Sequence, residues 1–230
     1  MTPITRVLSV AALSTAFAGS AFAATVDVEK QYKSAFGTPN WSVATSFVAN
    51  GTTVKNVGAG VFRLKGTYDD GSMSTFLAFC LQPLETLTLP KTHTIATSLD
   101  AGVLNNLYAL ASNAWTLVKD AKSAAAFQMA AWELTTDDGD FDIDAGNFKI
   151  IADTTASNNA EAKAQMWLDN IQSDFWKAGG DTFEIYSAKG TQDLLTNLTP
   201  VPVPASGLML LGGLALAGGV ARRKTARKDA

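Results

Sequence analysis

The hydrophobic and polar positions along the chain change their pattern near residue 100. Before that point, short segments rich in Val, Phe and Thr alternate with turn residues, which is typical of β-strands. Strands are predicted at 41–48, 52–57, 60–66, 72–81 and 86–89, separated by Asn50-Gly51, Asp69-Asp70-Gly71 and Pro90. The Asp-Asp-Gly turn lies between two apolar segments and therefore predicts a β-hairpin.

After residue 100 the apolar positions follow a helical period. Asp100 is the predicted N-cap of a helix over 101–117, and further helices are predicted at 122–134 and 156–173. Two closing strands are predicted at 181–187 and 192–198. The fold class is therefore α+β, a β-rich barrel or sandwich with inserted or packed helices.

The first 23 residues carry the pattern of a secretory signal peptide. Arg6 gives a short positive segment, and residues 7–17 form an apolar core. Ala21-Phe22-Ala23 then supplies the small residues that signal peptidase needs before its cleavage site. We predict cleavage between Ala23 and Ala24, with an uncleaved anchor as the alternative.

A second apolar segment lies near the other end of the chain. Prolines at 200, 202 and 204 favour extended backbone, because each fixes its own φ and disfavours helix just before it. Residues 205–221 carry no charge. At about 1.5 Å per residue they predict a transmembrane helix of about 25 Å, slightly short of a ~30 Å hydrocarbon core. A buried C-terminal helix with a solvated basic end is the alternative.

This C-terminal segment resembles the PEP-CTERM class of bacterial sorting tails, most closely the VPLPA variant. The matching motif is Val201, Pro202, Val203, Pro204, Ala205 and Ser206, with Val203 in place of the usual leucine. A basic cluster of Arg222, Arg223 and Lys224 follows the helix and predicts retention on the cytoplasmic side. The resemblance implies processing near Pro-Ala-Ser by an exosortase, an integral-membrane cysteine transpeptidase-like enzyme, in bacteria that secrete exopolysaccharide.

The two terminal signals divide the chain into three parts. Residues 1–23 are the predicted signal peptide, 24–199 an extracytoplasmic domain, and 200–230 the predicted sorting signal. We expect an exported protein that is held in the inner membrane by the helix at 205–221 before processing. Afterwards it would reside at the cell surface or outside the cell.

The central domain is acidic and large enough to have its own core. It has roughly 175 residues, a comfortable size for one domain. Without Arg6, the five basic residues of the tail and Asp229, the chain has 12 basic and 20 acidic residues, net −8. Such a charge offers no electrostatic surface for nucleic acid, and five Trp with many Phe argue against disorder.

Two short stretches carry the candidate chemistry. Cys80 is the only cysteine, so no internal disulfide can form in this exported chain. It is a buried inert thiol, pairs with another chain, or takes part in a different covalent bond. Gln128 stands among Ala and aromatic residues on a strongly apolar helix. A buried amide on such a face is normally hydrogen-bonded, so Gln128 needs a partner.

Together these stretches resemble the thioester domains of bacterial surface adhesins. In that family an aromatic-Cys motif on a strand meets a glutamine on a helix that begins Thr-Gln-x-Ala-Ile-Trp. Cys80 matches the cysteine and Gln128 the glutamine, while Ala130 and Trp132 match the helix motif. The departures are Phe127 where Thr is common, Ala131 where Ile is common, and Gln82 where an acidic residue or Asn often follows the cysteine.

The resemblance implies an internal thioester, formed when the Cys80 thiolate attacks the Gln128 carboxamide and ammonia leaves. Apolar walls such as Phe79, Phe127 and Trp132 would have to keep water out. An amine or hydroxyl on a foreign surface would then open the bond and leave a covalent tether. The alternative is that Cys80 is a small buried hydrophobe and Gln128 an ordinary bonded core residue.

Other candidate sites have weaker signals. Asp138, Asp140, Asp142 and Asp144 suggest calcium, but no EF-hand register fits, so a solvated acidic turn is preferred over a loose calcium site. His93, the only histidine, is predicted in a surface loop after Pro90. Glu133 with Asp137 imitates a glycosidase carboxylate pair, a spacing more typical of one turn of surface helix.

No phosphate-binding loop or zinc-ligand spacing occurs in the sequence, so no cofactor or metal and no catalytic residue is predicted. The expected protein is not an enzyme but an exported surface or matrix protein, with adhesion through a Cys80–Gln128 thioester as the hypothesis. Its expected partners are the exosortase-type enzyme and a surface amine, hydroxyl or exopolysaccharide. A structural biofilm-matrix protein without covalent chemistry and a secreted hydrolase remain the alternatives.

Overall fold

The structure, a computed structural model, describes residues 24–136, 139–151, 154–180 and 182–197. Nine strands occur in these ranges: β1 Thr25–Lys30, β2 Ser42–Ala49, β3 Thr52–Gly60, β4 Phe62–Tyr68, β5 Met73–Cys80, β6 Lys91–Ile95, β7 Phe148–Ile151, β8 Glu184–Ser187 and β9 Leu194–Thr196. The helices are α1 Ala101–Ala114, continued by a 3₁₀ turn at Trp115–Leu117, α2 Ala121–Thr136 and α3 Thr155–Gln172. The α+β class and the β-rich barrel with inserted helices are confirmed.

Six strands close a barrel in the order β1-β4-β5-β9-β8-β6. All the recorded pairs in this barrel are antiparallel. Alternate side chains fill its interior, among them Val26, Val28, Leu64 and Ala78, each at most 1% exposed. Closing the sheet on itself removes its free edges, which is how small β-barrels avoid unpaired backbone groups.

Two insertions leave this barrel between strands that are neighbours in it. The β2–β3 hairpin is inserted between β1 and β4, and a longer segment containing α1, α2, β7 and α3 is inserted between β6 and β8. Strand β7 pairs with β2, so both insertions contribute to a separate three-stranded sheet β3-β2-β7. We refer to this sheet and the three helices as the insert.

Helix α2 is the centre of the insert. Every residue from Ser123 to Leu134 is buried, and the helix contacts α1, α3, all three strands of the small sheet, and β5 of the barrel. Its alanines allow close approach from several sides, whereas a surface helix would keep a polar face. Asp120 caps the helix, because its carboxylate accepts from the Ser123 N–H at 2.7 Å.

The turn chemistry agrees with the sequence. Asn50 and Gly51 both have positive φ, at 49° and 76°, as a tight two-residue hairpin requires. In the β4–β5 hairpin Gly71 has φ +79°, and the Ser72 N–H donates to the Asp70 carboxylate at 2.8 Å. The predicted hairpin at Asp69-Asp70-Gly71 is therefore confirmed.

Several predicted elements need correction. Residues 86–89 are irregular, and the strand begins only after Pro90, whose missing N–H and fixed φ separate the two segments. Strands β1 and β7 were not predicted. Asp100 precedes α1 with extended backbone, but its side chain makes no capping hydrogen bond. Along the described ranges, no helix combines the length and apolar character needed to cross a bilayer.

Candidate functional site

Cys80 is the last residue of β5, on the side of the barrel that faces the insert. It pairs with Leu194 of β9, and the next residue continues the contact, since the Leu81 N–H donates to the Asp193 carbonyl at 2.9 Å. The Cys80 side chain is 1% exposed. The strand therefore fixes the position of this thiol through its backbone.

Gln128 lies in the middle of α2, and its carboxamide contacts Cys80 at two points. The Cys80 N–H donates to Gln128 Oε1 at 3.0 Å, and Gln128 Nε2 donates to the Cys80 carbonyl at 2.6 Å. Gln128 is 1% exposed. The expectation that this buried amide has a hydrogen-bond partner is met, and the partner is Cys80, although through its backbone.

These two hydrogen bonds limit the distance between the Gln128 carboxamide and the Cys80 backbone. Hydrogen bonds of this length place the Gln128 amide carbon on the order of 4 Å from the Cys80 backbone. The carboxamide is therefore held against the backbone of Cys80 at the junction of β5 and α2.

The thiol itself is hydrogen-bonded to the backbone of Gln82, the second residue after the strand. Cys80 Sγ donates to the Gln82 carbonyl and accepts from the Gln82 N–H, both at 3.3 Å. Burial raises the pKa of Cys80 to about 12, while Trp132 and the Gln82 backbone act in the opposite direction. The resting group is thus a protonated thiol with a thiolate-stabilising donor nearby.

Trp132 stands one helical turn after Gln128 on the same face of α2. Its indole N–H is buried and makes no regular hydrogen bond within the described residues, yet it lies close enough to lower the pKa of the Cys80 thiol. On its other side the indole contacts Phe47, with ring centroids 5.2 Å apart. Trp132 therefore closes the site from the side of the small sheet.

Phe79 and Phe127 close the site from the direction of α1. Their rings stack with centroids 4.1 Å apart, and Trp115 meets both edge-on at 5.4 and 5.6 Å. Phe79 and Phe127 are at most 1% exposed. The structure thus brings together all five predicted residues of this site, Cys80, Gln128, Phe79, Phe127 and Trp132.

Sequence reasoning missed two polar residues that hold the same junction. Thr135 Oγ1 donates to the Leu81 carbonyl at 2.8 Å and so continues the contact of α2 along the end of β5. Gln82 Oε1 accepts from the Asp193 N–H at 2.9 Å and ties the segment after β5 to β9. Thr135 lies seven residues after Gln128, a spacing that places both on one helix face and was visible in the sequence.

In the acidic loop, two carboxylates accept hydrogen bonds from backbone N–H groups of the same loop. Asp140 accepts from the Asp142 N–H at 3.0 Å, and Asp142 accepts from the Asp144 N–H at 3.1 Å. Across the described ranges no group of three His, Cys, Asp or Glu residues is arranged to hold a metal ion. Burial, reinforced by Asp144, raises the pKa of Glu161 to about 7.

The remaining candidates, Glu133 and His93, are both buried. Glu133 is 1% exposed rather than on a surface turn, and it borders a cavity of about 370 Å³ with Asp100, Asn106 and Phe141. His93 is fully buried in β6, so the predicted surface loop is wrong. Its side chain lies on the Val26 side of the sheet because Thr92 and Thr94 take the alternate positions.

Several predicted features lie outside the described residues. These are the signal peptide at 1–23, the helix at 205–221, the acidic pair Asp137 and Asp138, the sorting motif Val201, Pro202, Val203, Pro204, Ala205 and Ser206, and the basic cluster Arg222, Arg223 and Lys224.

Comparisons with known proteins add one structural likeness. No protein-family model matches the chain, and no curated protein matches it. Among solved structures the chain is similar to the thioester domain of the Staphylococcus aureus TIE protein, at 13% identity and a TM-score of 0.40. The likeness covers 77% of this chain and 80% of that one. At this level it carries no argument about function, which has to rest on the residues of the site.

Proposed function

We propose that this domain forms an internal thioester between Cys80 and Gln128 and uses it to attach covalently to an amine or hydroxyl on another surface. The observation that carries the proposal is the two-point contact of the Gln128 carboxamide with Cys80 at 3.0 and 2.6 Å. A glutamine whose carboxamide is held against the backbone of the only cysteine of the chain stands beside the residue with which it would react.

The reaction balances without any co-reactant. Cys80 Sγ forms a bond to the Gln128 amide carbon, the C–N bond breaks, and the thiol proton leaves with the amide nitrogen as ammonia. In the second step an incoming amine attacks the same carbon. Its nitrogen forms an amide, the C–S bond breaks, and the thiol of Cys80 recovers a proton from the amine. Each molecule reacts once, so the protein is an adhesin rather than an enzyme.

The surroundings support both steps in different ways. The Cys80 N–H donates to Gln128 Oε1, where negative charge develops when the thiolate attacks. The Trp132 indole favours the thiolate, while burial opposes it. Phe79, Phe127 and Trp115 pack against one another at the junction, and this apolar cluster would limit the access of water to the product.

We further propose that the chain is exported through residues 1–23 and sorted by an exosortase-type enzyme through its C-terminal segment, after transient anchoring in the inner membrane. Support comes from the order of extended motif, uncharged segment and basic cluster. Substituting Pro204 and Ala205 together should retain the chain in the membrane fraction with its basic tail. Release of a shortened chain despite this change would argue against sorting through the motif.

The thioester is tested by the intact mass of the mature protein with and without methylamine. The expected mass is lower than that of the processed sequence by one ammonia, and it rises by one methylamine located at Gln128 after treatment. Cys80→Ala and Gln128→Ala should both abolish the two changes. Gln172→Ala is the matched control, because this glutamine is exposed and bonds the Asp140 carbonyl instead.

A structural domain without covalent chemistry is the second candidate, and one observation favours it. Both polar atoms of the Gln128 side chain and the thiol of Cys80 already have hydrogen-bond partners. In that case Gln128 only fastens α2 to β5. An unshifted mass together with a Cys80 thiol that titrates after unfolding would support this second function and exclude the first.

A further inference from the structure

A second polar site lies on the outer face of the barrel, away from Cys80. In β4 the side chain of Leu64 points into the barrel, so its neighbour Arg63 points outward. Arg63 pairs with Leu77 of β5. The chain leaves β1 at Gln31 and β9 at Asn197 on either side of this pair.

These segments enclose a cavity of about 350 Å³, within the range of about 300–1,000 Å³ found for ligand sites. Its lining consists of Gln31, Tyr32, Arg63, Thr75, Phe76, Leu77 and Asn197. The polar members supply two carboxamides, two hydroxyls and one guanidinium. None of the described residues that line the cavity carries a carboxylate, although the chain as a whole is acidic.

The arginine is held in place by its surroundings. Its guanidinium carbon lies 4.8 Å from the centre of the Trp41 ring, a cation–π contact. Gly37, at φ +73°, fits against the aliphatic stem so closely that a Cβ there would come within 2.3 Å of Arg63 Cδ. The backbone of the loop is bound as well, since the Arg63 N–H donates to the Ala35 carbonyl at 2.7 Å.

The guanidinium nevertheless lacks a polar partner in the part of the chain that the structure describes. Arg63 Nε is buried without a hydrogen bond there, and the ion pair found in those residues joins Lys65 to Glu29 instead. A buried donor without a partner costs free energy, so such a group favours a ligand that accepts from it. The orientation is fixed before any ligand arrives, which lowers the entropy cost of binding.

We propose that this cavity binds a small carboxylate whose body carries hydroxyl groups, such as a sugar acid. The planar fork of an arginine matches a carboxylate with two parallel hydrogen bonds. Inorganic phosphate can also accept from this fork, but it has no body of hydroxyl groups to contact the other polar residues of the lining. Gln31, Thr75 and Asn197 supply donors and acceptors for hydroxyl groups, and the 42% exposed Tyr32 offers a ring face at the rim.

The test uses the purified full chain and D-glucuronate as the probe, with binding followed by the NMR signal of the Trp41 indole N–H. Glucuronate should shift this signal in a saturable way. D-Glucose, which lacks the carboxylate, should bind at least about tenfold more weakly, and so should inorganic phosphate. Arg63→Lys keeps the charge but loses the fork and should weaken glucuronate binding about tenfold.

Lys65→Gln is the matched control, because Lys65 is the next outward residue of the same strand and its ammonium already pairs with Glu29. It should leave binding unchanged. If Arg63→Lys fails to fold, Asn197→Leu keeps the test open, since this exposed residue borders the cavity and its change should also weaken binding. Absence of saturable binding, equal binding of phosphate, or equal loss in Lys65→Gln would overturn the proposal. Cys80→Ala should bind normally, so this result is independent of the thioester.

Discussion

The barrel and the insert are stabilised by different means. The barrel is closed by antiparallel backbone ladders, and alternate side chains such as Val28 and Leu64 fill it. The insert is organised around one buried helix, and its sheet is assembled from two distant parts of the chain. Side-chain contacts therefore join the helices of the insert to the ladders of its small sheet, as in the 2.8 Å hydrogen bond between the buried hydroxyls of Thr45 and Ser157.

The candidate site lies at the junction of the barrel and the insert. The barrel contributes Cys80 and Phe79, and the insert contributes Gln128, Phe127 and Trp132. A site built across such a junction has its geometry only while both regions are docked. Substitutions at the junction should therefore affect the site and the global stability together, whereas changes on the barrel surface should affect neither.

The largest effect is expected for Phe127→Ala. This ring is fully buried and stacks on Phe79 at 4.1 Å, so its loss leaves a cavity between insert and barrel. We expect the free energy of unfolding to fall by about 3–5 kcal/mol. Urea unfolding followed by tryptophan fluorescence measures it. A loss below about 1 kcal/mol would mean that the junction repacks and does not couple the two regions.

A smaller effect is expected for Gln128→Leu. The change leaves the buried Cys80 N–H and carbonyl without their partner, at a cost of about 2–4 kcal/mol. Cys80→Ala is the informative companion, because it keeps both backbone bonds and should cost only about 1 kcal/mol. The loss in free energy of unfolding of both variants is measured relative to the methylamine-treated protein. Equal losses would show that the thiol, and not the carboxamide contact, fastens the helix.

Acid should weaken the barrel through His93. Burial lowers the pKa of this imidazole below its usual 6.5, so the unfolded chain takes up a proton first as the pH falls. Stability contributed by neutral His93 is therefore present above about pH 6.5 and is lost between that value and the lower folded-state pKa. His93→Gln should flatten this part of a stability–pH curve. An unchanged slope would show that His93 does not carry the acid sensitivity, and Glu161 could not replace it, because its raised pKa favours the folded state at low pH.

The smallest effect is expected for Lys65→Met on the barrel surface. Its ammonium pairs with Glu29 at 2.8 Å, but the side chains are 37% and 49% exposed. Solvent screening limits such a pair to less than about 1 kcal/mol. Thermal unfolding at low and high salt measures the difference. A loss larger than that of Cys80→Ala would contradict the view that the barrel depends on its ladders rather than on surface charge.

The sequence predicted the elements better than their arrangement. The helices and the strands β2, β3, β4 and β5 follow from local period and turn residues such as Asn50-Gly51. Strand β6 was not predicted, because Lys91, Thr92 and Thr94 give it a polar composition around one inward histidine. Barrel closure and the pairing of β7 with β2 depend on contacts about a hundred residues apart, which no local pattern records.

The candidate site was also predicted in part: its residues were identified, but not the contacts between them. An isolated glutamine on an apolar helix correctly predicted a buried partner, and Cys80 was the candidate. No local pattern indicated that the carboxamide would bond the cysteine backbone, since that depends on how α2 crosses the end of β5. The Arg63 cavity was not predicted either, because its lining comes from four segments that meet only when the barrel closes.

The short final strand has a mechanical consequence. The chain leaves the described domain directly from β9, whose three residues pair with the last three of β5, including Cys80. Tension applied beyond Asn197 would therefore act first on this ladder and only afterwards on the insert. Pulling from Asn197 would therefore load the strand that pairs with Cys80, and pulling from Thr25 instead should give a different rupture force.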